Sequence, residues 1–345
     1  MSARADIVPV FVPHLGCPHA CVFCNQRHIT GQLSSATAQS VEEAIRSADV
    51  LPRSAEPRQL AFYGGSFTAI PAEQQVELLS AAKRAIDRGD IDRIRISTRP
   101  DAIDEEVLAR LRQYGVHTIE LGAQSLNDEV LSRSRRGHTA QDVKAASEEI
   151  REAGFNLILQ MMTGLPGDTP DRCVETARQI VSLRPDGVRI YPTVIVKDTE
   201  LYDLWKSGQY QEHTVEEAVS ICAKLVPLFE KAGIPIIRLG LNPTEELSSG
   251  SAVAGAYHPA FGELVKSRIL LNKARVLLEN VQPGSVVTLG IAPQLLSQMI
   301  GQKGINRETL WREFSLSRLN IVSADADCTE PQLLFHEADL ITYPL

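Results

Sequence analysis

No apolar run in this 345-residue chain approaches the roughly 18 residues that a membrane-spanning helix needs. The apolar stretch Ile7 to Val12 is short and is punctuated by Pro9 and Pro13. It lacks the basic start and cleavage site of a signal peptide. Six cysteines, three of them crowded between Cys17 and Cys24, do not form the spaced set of a secreted disulfide framework. A cytoplasmic protein with no membrane association is therefore expected, with Cys173, Cys222 and Cys328 as scattered core thiols. A basic excess is also missing. The net charge of −8 gives the surface as a whole no general attraction for nucleic acid. Hydrophobic content of 43% and charged content of 23% are ordinary for a globular chain, and the length suffices for one large domain and a small one.

What is present near the N-terminus is Cys17-Pro-His-Ala-Cys21-Val-Phe-Cys24, a CxxxCxxC triplet on one short loop. Three thiolates form an incomplete set for a structural zinc site, which takes four ligands and often a second paired motif. No second CxxC exists. A Cys3His zinc site using His14 or His19 stays open, but a three-cysteine iron–sulfur cluster with one free iron fits the set better.

From residue 6 to about 240 the chain alternates strand-like and helix-like stretches. Strands are expected at Ile7–Val12, Gln59–Gly64, Arg93–Thr98, Thr118–Gly122, Leu157–Met162 and Gly187–Thr193. Helices are expected at Val41–Ala48, Ala72–Asp87, Asp104–Tyr114, Ala140–Ala153, Asp171–Leu183 and Thr214–Ala232, several with apolar residues at i, i+3, i+4 and i+7. Parallel strands need crossover helices, so six such units predict an α/β fold with a parallel sheet, as an open sheet or a partial barrel. Chemistry-bearing residues recur where the strands end: Gly64-Gly65-Ser66, Ser97-Thr98-Arg99-Pro100-Asp101, Gln124-Ser125, Gly164-Leu165-Pro166-Gly167-Asp168 and Tyr191-Pro192-Thr193. Glycine and proline at one strand end usually make a turn. Five such clusters on one rim, joined by the cysteine loop, favour a site, because ligands of parallel α/β folds bind at the carboxyl ends of strands.

The triplet, with aromatic Phe23 before its third cysteine and a β/α rhythm behind it, resembles the radical S-adenosylmethionine enzymes. That resemblance implies a partial (β/α)6 barrel, a [4Fe–4S] cluster on Cys17, Cys21 and Cys24, and S-adenosylmethionine on its fourth iron. Gly64-Gly65-Ser66 matches the family's glycine motif, with Ser66 where an acidic residue is common. Ser97–Asp101, Ile119–Ser125, Arg136-Gly-His-Thr139, Ile190–Thr193 and Leu201–Gly208 look like the radical domain of the Elongator catalytic subunit, which acts on the wobble uridine of transfer RNA. The family implies an electron donor of flavodoxin or ferredoxin type. Phe23, Gly64, Gly65, Ser66, Thr98, Arg99, Glu120 and Gln124 are the expected cofactor-binding residues, with Glu120 and Gln124 also candidates for catalysis. Arg99 or Arg136 could fork onto a carboxylate or phosphate. Against this stand plain alternatives: Glu120 as the partner of a neighbouring basic group, and Tyr191 and Trp205 as core. Only 100 residues follow residue 245, too few for the acetyltransferase domain of that family.

Residues 1–245 are thus expected to be the barrel and 246–345 a small α+β extension. The polar stretch 242–251 reads as a linker or loop. Lys266–Asn280 looks helical. Then come a strand Ser285–Ile291, a helix Pro293–Ile300, the turn Gly301-Gln302-Lys303-Gly304, a helix Asn306–Phe314 and a strand Leu319–Ala324. This order resembles KH RNA-binding modules, whose GxxG loop clamps a nucleic-acid backbone. Residues 260–320 hold eight Lys/Arg against four Asp/Glu, while 321–345 hold five Asp/Glu and no Lys or Arg. Gly301, Gln302, Lys303, Gly304 and Arg307 are the candidate RNA-binding residues, although a GxxG between helices is more often a tight turn. The expected function is radical modification of RNA, in particular transfer RNA. The rivals are a coproporphyrinogen-oxidase-like enzyme acting on a small molecule and a non-catalytic, metal-containing RNA-binding protein.

Overall fold

The computed structural model describes residues 6–12, 21–24, 36–50, 53–241 and 252–337. Cys17, His14, His19 and the polar stretch 242–251 lie outside the described residues. The chain divides into two compact units, Met1–Ala218 with Leu225–His258, and Val219–Lys224 with Pro259–Leu345.

In the first unit the strands are β1 (Asp6–Val12), β2 (Arg58–Gly64), β3 (Arg93–Thr98), β4 (Val116–Gln124), β5 (Asn156–Thr163) and β6 (Gly187–Pro192). Between them run helices α1 (Ala38–Asp49), α2 (Ala72–Arg88), α3 (Glu105–Gln113), the short α4 (Asp128–Arg133), α5 (Ala140–Glu152) and α6 (Pro170–Leu183). A short strand β7 (Val194–Val196), a short helix α7 (Glu200–Lys206) and the long helix α8 (Val215–Lys231) follow. They lead to β8 (Ile236–Leu239), a seventh strand that the periodicity did not reveal; β9 (Ala252–Gly255) pairs antiparallel with β7. The sheet runs in the order β1-β2-β3-β4-β5-β6-β8, and every pairing in it is parallel. Six strands become seven because β8 has only four residues and alternates weakly, too short for its period to show.

Helix starts follow local chemistry. Asp104, Thr139, Thr169, Thr199 and Thr214 each accept a backbone N–H of the first turn, which satisfies a donor that the helix leaves unpaired. Thr139 with Asp142 and Thr214 with Glu217 form reciprocal capping boxes.

The sheet is curled. Neighbouring strands lie about 4.8 Å apart, so residues four strands away in a flat sheet would be about 19 Å apart. Yet Arg189 of β6 donates to the Tyr63 hydroxyl of β2 at 3.0 Å. Only a partial barrel brings these ends together. Side chains alternate along each strand. One set, including Leu60, Phe62, Ile94, Ile96, Ile119, Leu121, Leu157, Leu159, Val188 and Ile190, is buried and apolar. The other set, on the concave side, carries the polar residues Gln59, Arg95, Glu120, Gln160, Arg189 and Tyr191.

The second unit contains α9 (Phe261–Leu278), β10 (Val286–Ile291), α10 (Leu296–Ile300), α11 (Ile305–Glu313), β11 (Arg318–Ser323) and β12 (Gln332–Glu337). Its sheet has the order β11-β10-β12, with β10 parallel to β11 and antiparallel to β12. Leu271, Ala274, Leu278, Val287, Leu289, Ile291, Met299 and Leu310 are among the residues of its core. The turn 301–304 joins α10 to α11 with Gly301, Lys303 and Gly304 at positive φ. A Cβ on Gly301 would sit 2.9 Å from Asn306 Cγ. Asn306 is buried and donates through Nδ2 to the Ser267 carbonyl and hydroxyl and to the Gln298 and Met299 carbonyls, so the glycine makes room for this plug.

Candidate active site

The strand ends converge as the sequence suggested. Gly65 N–H donates to the Val12 carbonyl at 2.9 Å, tying the glycine motif to the end of β1. The Ser66 hydroxyl is 2.9 Å from the Thr98 hydroxyl and accepts the Arg99 N–H at 3.2 Å. Thr68 adds a 2.5 Å contact to Thr98. Ser66, Thr98, Arg99, Glu120 and Gln124 are all buried. Arg99 forks onto the Asp101 carboxylate at 2.8 and 3.0 Å, so a carboxylate of its own chain takes the forked pair expected for a ligand. Gly164–Asp168 closes on itself: Asp168 accepts from Gly164 N–H at 3.0 Å and from the Cys173 thiol at 2.9 Å, and the Tyr210 hydroxyl donates to the Gly164 carbonyl at 2.6 Å. That cluster has a structural role of its own.

Cys21 and Cys24 sit on a tight turn, with Cys24 N–H donating to the Cys21 carbonyl at 3.1 Å, and both are half-buried. The turn is anchored through Val22. Its N–H donates to the Ser134 carbonyl at 3.2 Å, and its carbonyl accepts from Leu201 N–H at 2.8 Å. Val22, Ile195 and Leu201 form a small buried cluster against which Phe23, Tyr202, Trp205 and Tyr210 pack. Phe23 and Trp205 are thus holding residues of the cysteine turn.

Arg136 faces this turn. It is buried; Nη1 donates to Cys21 Sγ at 3.2 Å and Nη2 to the Gly122 carbonyl at 2.7 Å. Its own carbonyl accepts from Arg99. Gly122 leaves space for this guanidinium, because a Cβ there would lie 2.8 Å from Gln124 Nε2 and 3.3 Å from Arg136 Nη2.

Deeper in the concavity lies a charged network that sequence reasoning largely missed. Glu120 is 4% exposed and meets Arg189 Nε at 3.0 Å and Arg95 Nη1 at 3.8 Å. Arg95 donates twice to Gln59 Oε1, and Arg189 donates to the Tyr191 and Tyr63 hydroxyls. Gln124, held at φ 64°, accepts from Gln160. Burial pushes the Glu120 carboxyl up, opposed by Arg189 and then Arg95. Burial is the largest single influence on Arg189 and works against its charge, but Glu120 with Tyr191 and Tyr63 together outweigh it and keep the guanidinium firmly protonated. The alternative reading of Glu120, as partner of a basic group, describes this contact. The overlooked signal was charge inside strands: a parallel strand covered on both faces reads as continuous apolar sequence, and Arg95 and Arg189 break that pattern.

Beyond the Glu120 ion pairs, two buried atoms on this side, Ser97 Oγ and Arg136 Nε, have no hydrogen bond among the described residues. Native proteins leave few such groups unmet, and a polar ligand would satisfy these two. The thiol pair facing a guanidinium suits an anionic, thiolate-held metal group. Among the described residues no cluster of three or more candidate ligands occurs, Cys17 being outside them.

A curled parallel sheet with a cysteine turn at its C-terminal rim defines a class, that of cluster-bearing partial barrels. Comparison with known proteins names the family. The model of the Radical SAM superfamily matches residues 11–180, and that of the Radical_SAM C-terminal domain matches residues 185–270. The chain belongs to the radical S-adenosylmethionine superfamily of enzymes, whose cofactors are a [4Fe–4S] cluster and S-adenosylmethionine, and its radical region is homologous to that of Elongator complex protein 3. It is 30% identical over 185 residues to Elongator complex protein 3 of Saccharomyces cerevisiae, covering 48% of this chain and 33% of that protein. It is 33% identical over 129 residues to the tRNA uridine(34) acetyltransferase of Methanocaldococcus jannaschii, covering 36% of this chain and 24% of that protein. The chain thus spans a third or less of these curated relatives. The structure of the archaeal Methanocaldococcus infernus Elp3 with an N-terminal deletion superposes with a TM-score of 0.62 over 82% of this chain and 67% of that chain, at 21% identity.

Proposed function

We propose that this protein is a cytoplasmic radical enzyme that modifies RNA, transfer RNA in particular. The observation that carries this reading is the Cys21–Cys24 turn, set at the C-terminal rim of a parallel partial barrel and facing the buried Arg136. Cys17, Cys21 and Cys24 would hold the cluster. When bound, the cluster supplies the electron that cleaves S-adenosylmethionine to a 5′-deoxyadenosyl radical and methionine; a flavodoxin- or ferredoxin-type donor would deliver that electron. The chain's own residues bind, orient and exclude water. Gly64, Gly65 and Ser66 present backbone at the rim, and Phe23 packs behind the turn. Thr98, Arg99, Glu120 and Gln124 line the concave side as donors and acceptors for cofactor and substrate, and the buried Ser97 hydroxyl, without a hydrogen bond among the described residues, supports that use.

RNA as the substrate draws on the names of the relatives and on the second unit. A strand, helix, GxxG, helix and parallel strand succeed one another there, as in KH-like modules. Lys303 and Arg307 have no ion-pair partner among the described residues, whereas Lys266, Lys273, Arg275 and Arg312 are paired with glutamates. Two free cations beside a glycine turn suit a phosphate backbone.

The test is anaerobic incubation of the reduced protein with S-adenosylmethionine and total transfer RNA. Mass spectrometry is expected to find 5′-deoxyadenosine together with a new nucleoside. 5′-Deoxyadenosine without any altered nucleoside would redirect the reading to a small-molecule substrate.

A further inference from the structure

We infer that Arg136 is a positioning residue that raises the reduction potential of the cluster by donating an N–H···S hydrogen bond to the Cys21 thiolate. The inference rests on the reading of Cys21 as a cluster ligand. Arg136 Nη1 lies 3.2 Å from Cys21 Sγ, the usual range for a hydrogen bond to sulfur. The guanidinium is 7% exposed and forms no ion pair with any carboxylate among the described residues. A buried cation without a counter-ion is costly, so the site is built for an anion at that point.

The orientation is fixed from several sides. Nη2 donates to the Gly122 carbonyl at 2.7 Å, where the absence of a side chain on Gly122 admits it. The backbone N–H of Arg136 donates to the Leu131 carbonyl at 3.0 Å, and its carbonyl is capped by Arg99, itself fixed on Asp101. The Ser134 carbonyl, two residues earlier, holds Val22 of the cysteine turn at 3.2 Å. Donor and sulfur therefore move as one piece.

Reduction adds one electron to the cluster, supplied in the test by titanium(III) citrate, and makes the group one unit more negative. A fixed positive charge with an N–H aimed at a ligand sulfur stabilises the reduced form over the oxidised form, and hydrogen bonds to sulfur and net charge are among the factors that set such potentials. Loss of the charge and the bond is expected to change the one-electron equilibrium about tenfold, which corresponds to about 59 mV.

The experiment is an anaerobic redox titration followed by electron paramagnetic resonance on wild type, Arg136→Lys, Arg136→Gln and Arg136→Met, each assayed first for iron and sulfide. The expected result is a potential lowered by about that amount in Arg136→Met, with Arg136→Lys closest to wild type. The Fe–S stretching bands of wild type should shift in deuterated water, and those of Arg136→Met should not. If Arg136→Met fails to retain iron, the same comparison between Arg136→Gln and wild type decides. Equal potentials with full iron content, or no deuterium shift in wild type, would overturn the inference. A wild type that takes up no four-iron cluster would instead overturn the ligand reading beneath it.

Discussion

Glu120 is a single carboxylate between two buried guanidiniums, and its removal leaves both uncompensated. Breaking a buried pair in this way costs about 3–5 kcal/mol. Glu120→Gln should lower the urea midpoint accordingly, before any effect on catalysis is counted. His138 gives a second expectation. It is buried, and Nε2 donates to the Ala123 carbonyl at 3.2 Å while Nδ1 has no partner among the described residues. Burial, with the Arg136 charge next, lowers its pKa to about 4. The unfolded chain takes up this proton near its ordinary value of about 6.5 and the folded chain only near 4, so between those values the unfolded state binds more protons. Stability therefore falls as pH drops from about 6.5 to 4, by roughly 3 kcal/mol at most. Denaturation curves across that window should show the slope, and His138→Asn should flatten it. Sequence reasoning singled out Ser66, Thr98 and Arg99 because they stand at strand ends, where chemistry is expected, and the structure brings their side chains or backbone together. It missed the Gln59–Arg95–Arg189 network because those residues meet only after the sheet curls.

Elements were legible where periodicity ran long and caps were explicit. Arg93–Thr98 appears with the expected bounds, and α3, α5 and α8 begin beside Asp104, Thr139 and Thr214, whose side chains cap them. Short elements escaped: α4 and α7 have six and seven residues, and β12, which completes the small sheet, lies in the acidic tail. The rim turn after β5 illustrates a glycine whose role only the fold discloses. Gly164 has φ +76°, and a Cβ there would lie 2.2 Å from His213 Cγ, inside a ring that is itself bonded to Thr163. Gly164→Ala combines backbone strain with an overlap that a ring cannot evade. A loss of at least about 2 kcal/mol, read by chemical denaturation, is the expected outcome.

For the molecule as a whole, charge decides how any RNA would be held. A net charge of −8 leaves no broad field, so binding should depend on a few local cations. In 260–320, Lys266, Lys273, Arg275 and Arg312 are paired with glutamates, and Lys303 and Arg307 have no ion-pair partner among the described residues. Each phosphate contact to a single strand contributes about 0.7 to the slope of log K against log salt. The double variant Lys303→Ala with Arg307→Ala should reduce that slope by about 1.4, measured by filter binding from 50 to 300 mM salt. An unchanged slope would remove the GxxG turn from the RNA-binding surface.

Among the described residues, hydrogen bonds and apolar packing fasten the Cys21–Cys24 turn. Val22 is held at both its N–H and its carbonyl, and its side chain is buried with Ile195 and Leu201. Many small metal sites exist as folded structures only once the metal has bound. The Cys21–Cys24 turn is tied to the barrel by the chain's own bonds, so the fold is expected to persist when the metal is lost. Oxygen damage to the inorganic part should then be an injury that the protein survives and can have repaired. Iron removed by a chelator should leave the far-ultraviolet circular dichroism unchanged, and re-addition of iron and sulfide should restore the brown colour without a refolding step. A cell could then rebuild the cofactor on a standing chain instead of synthesising a new one.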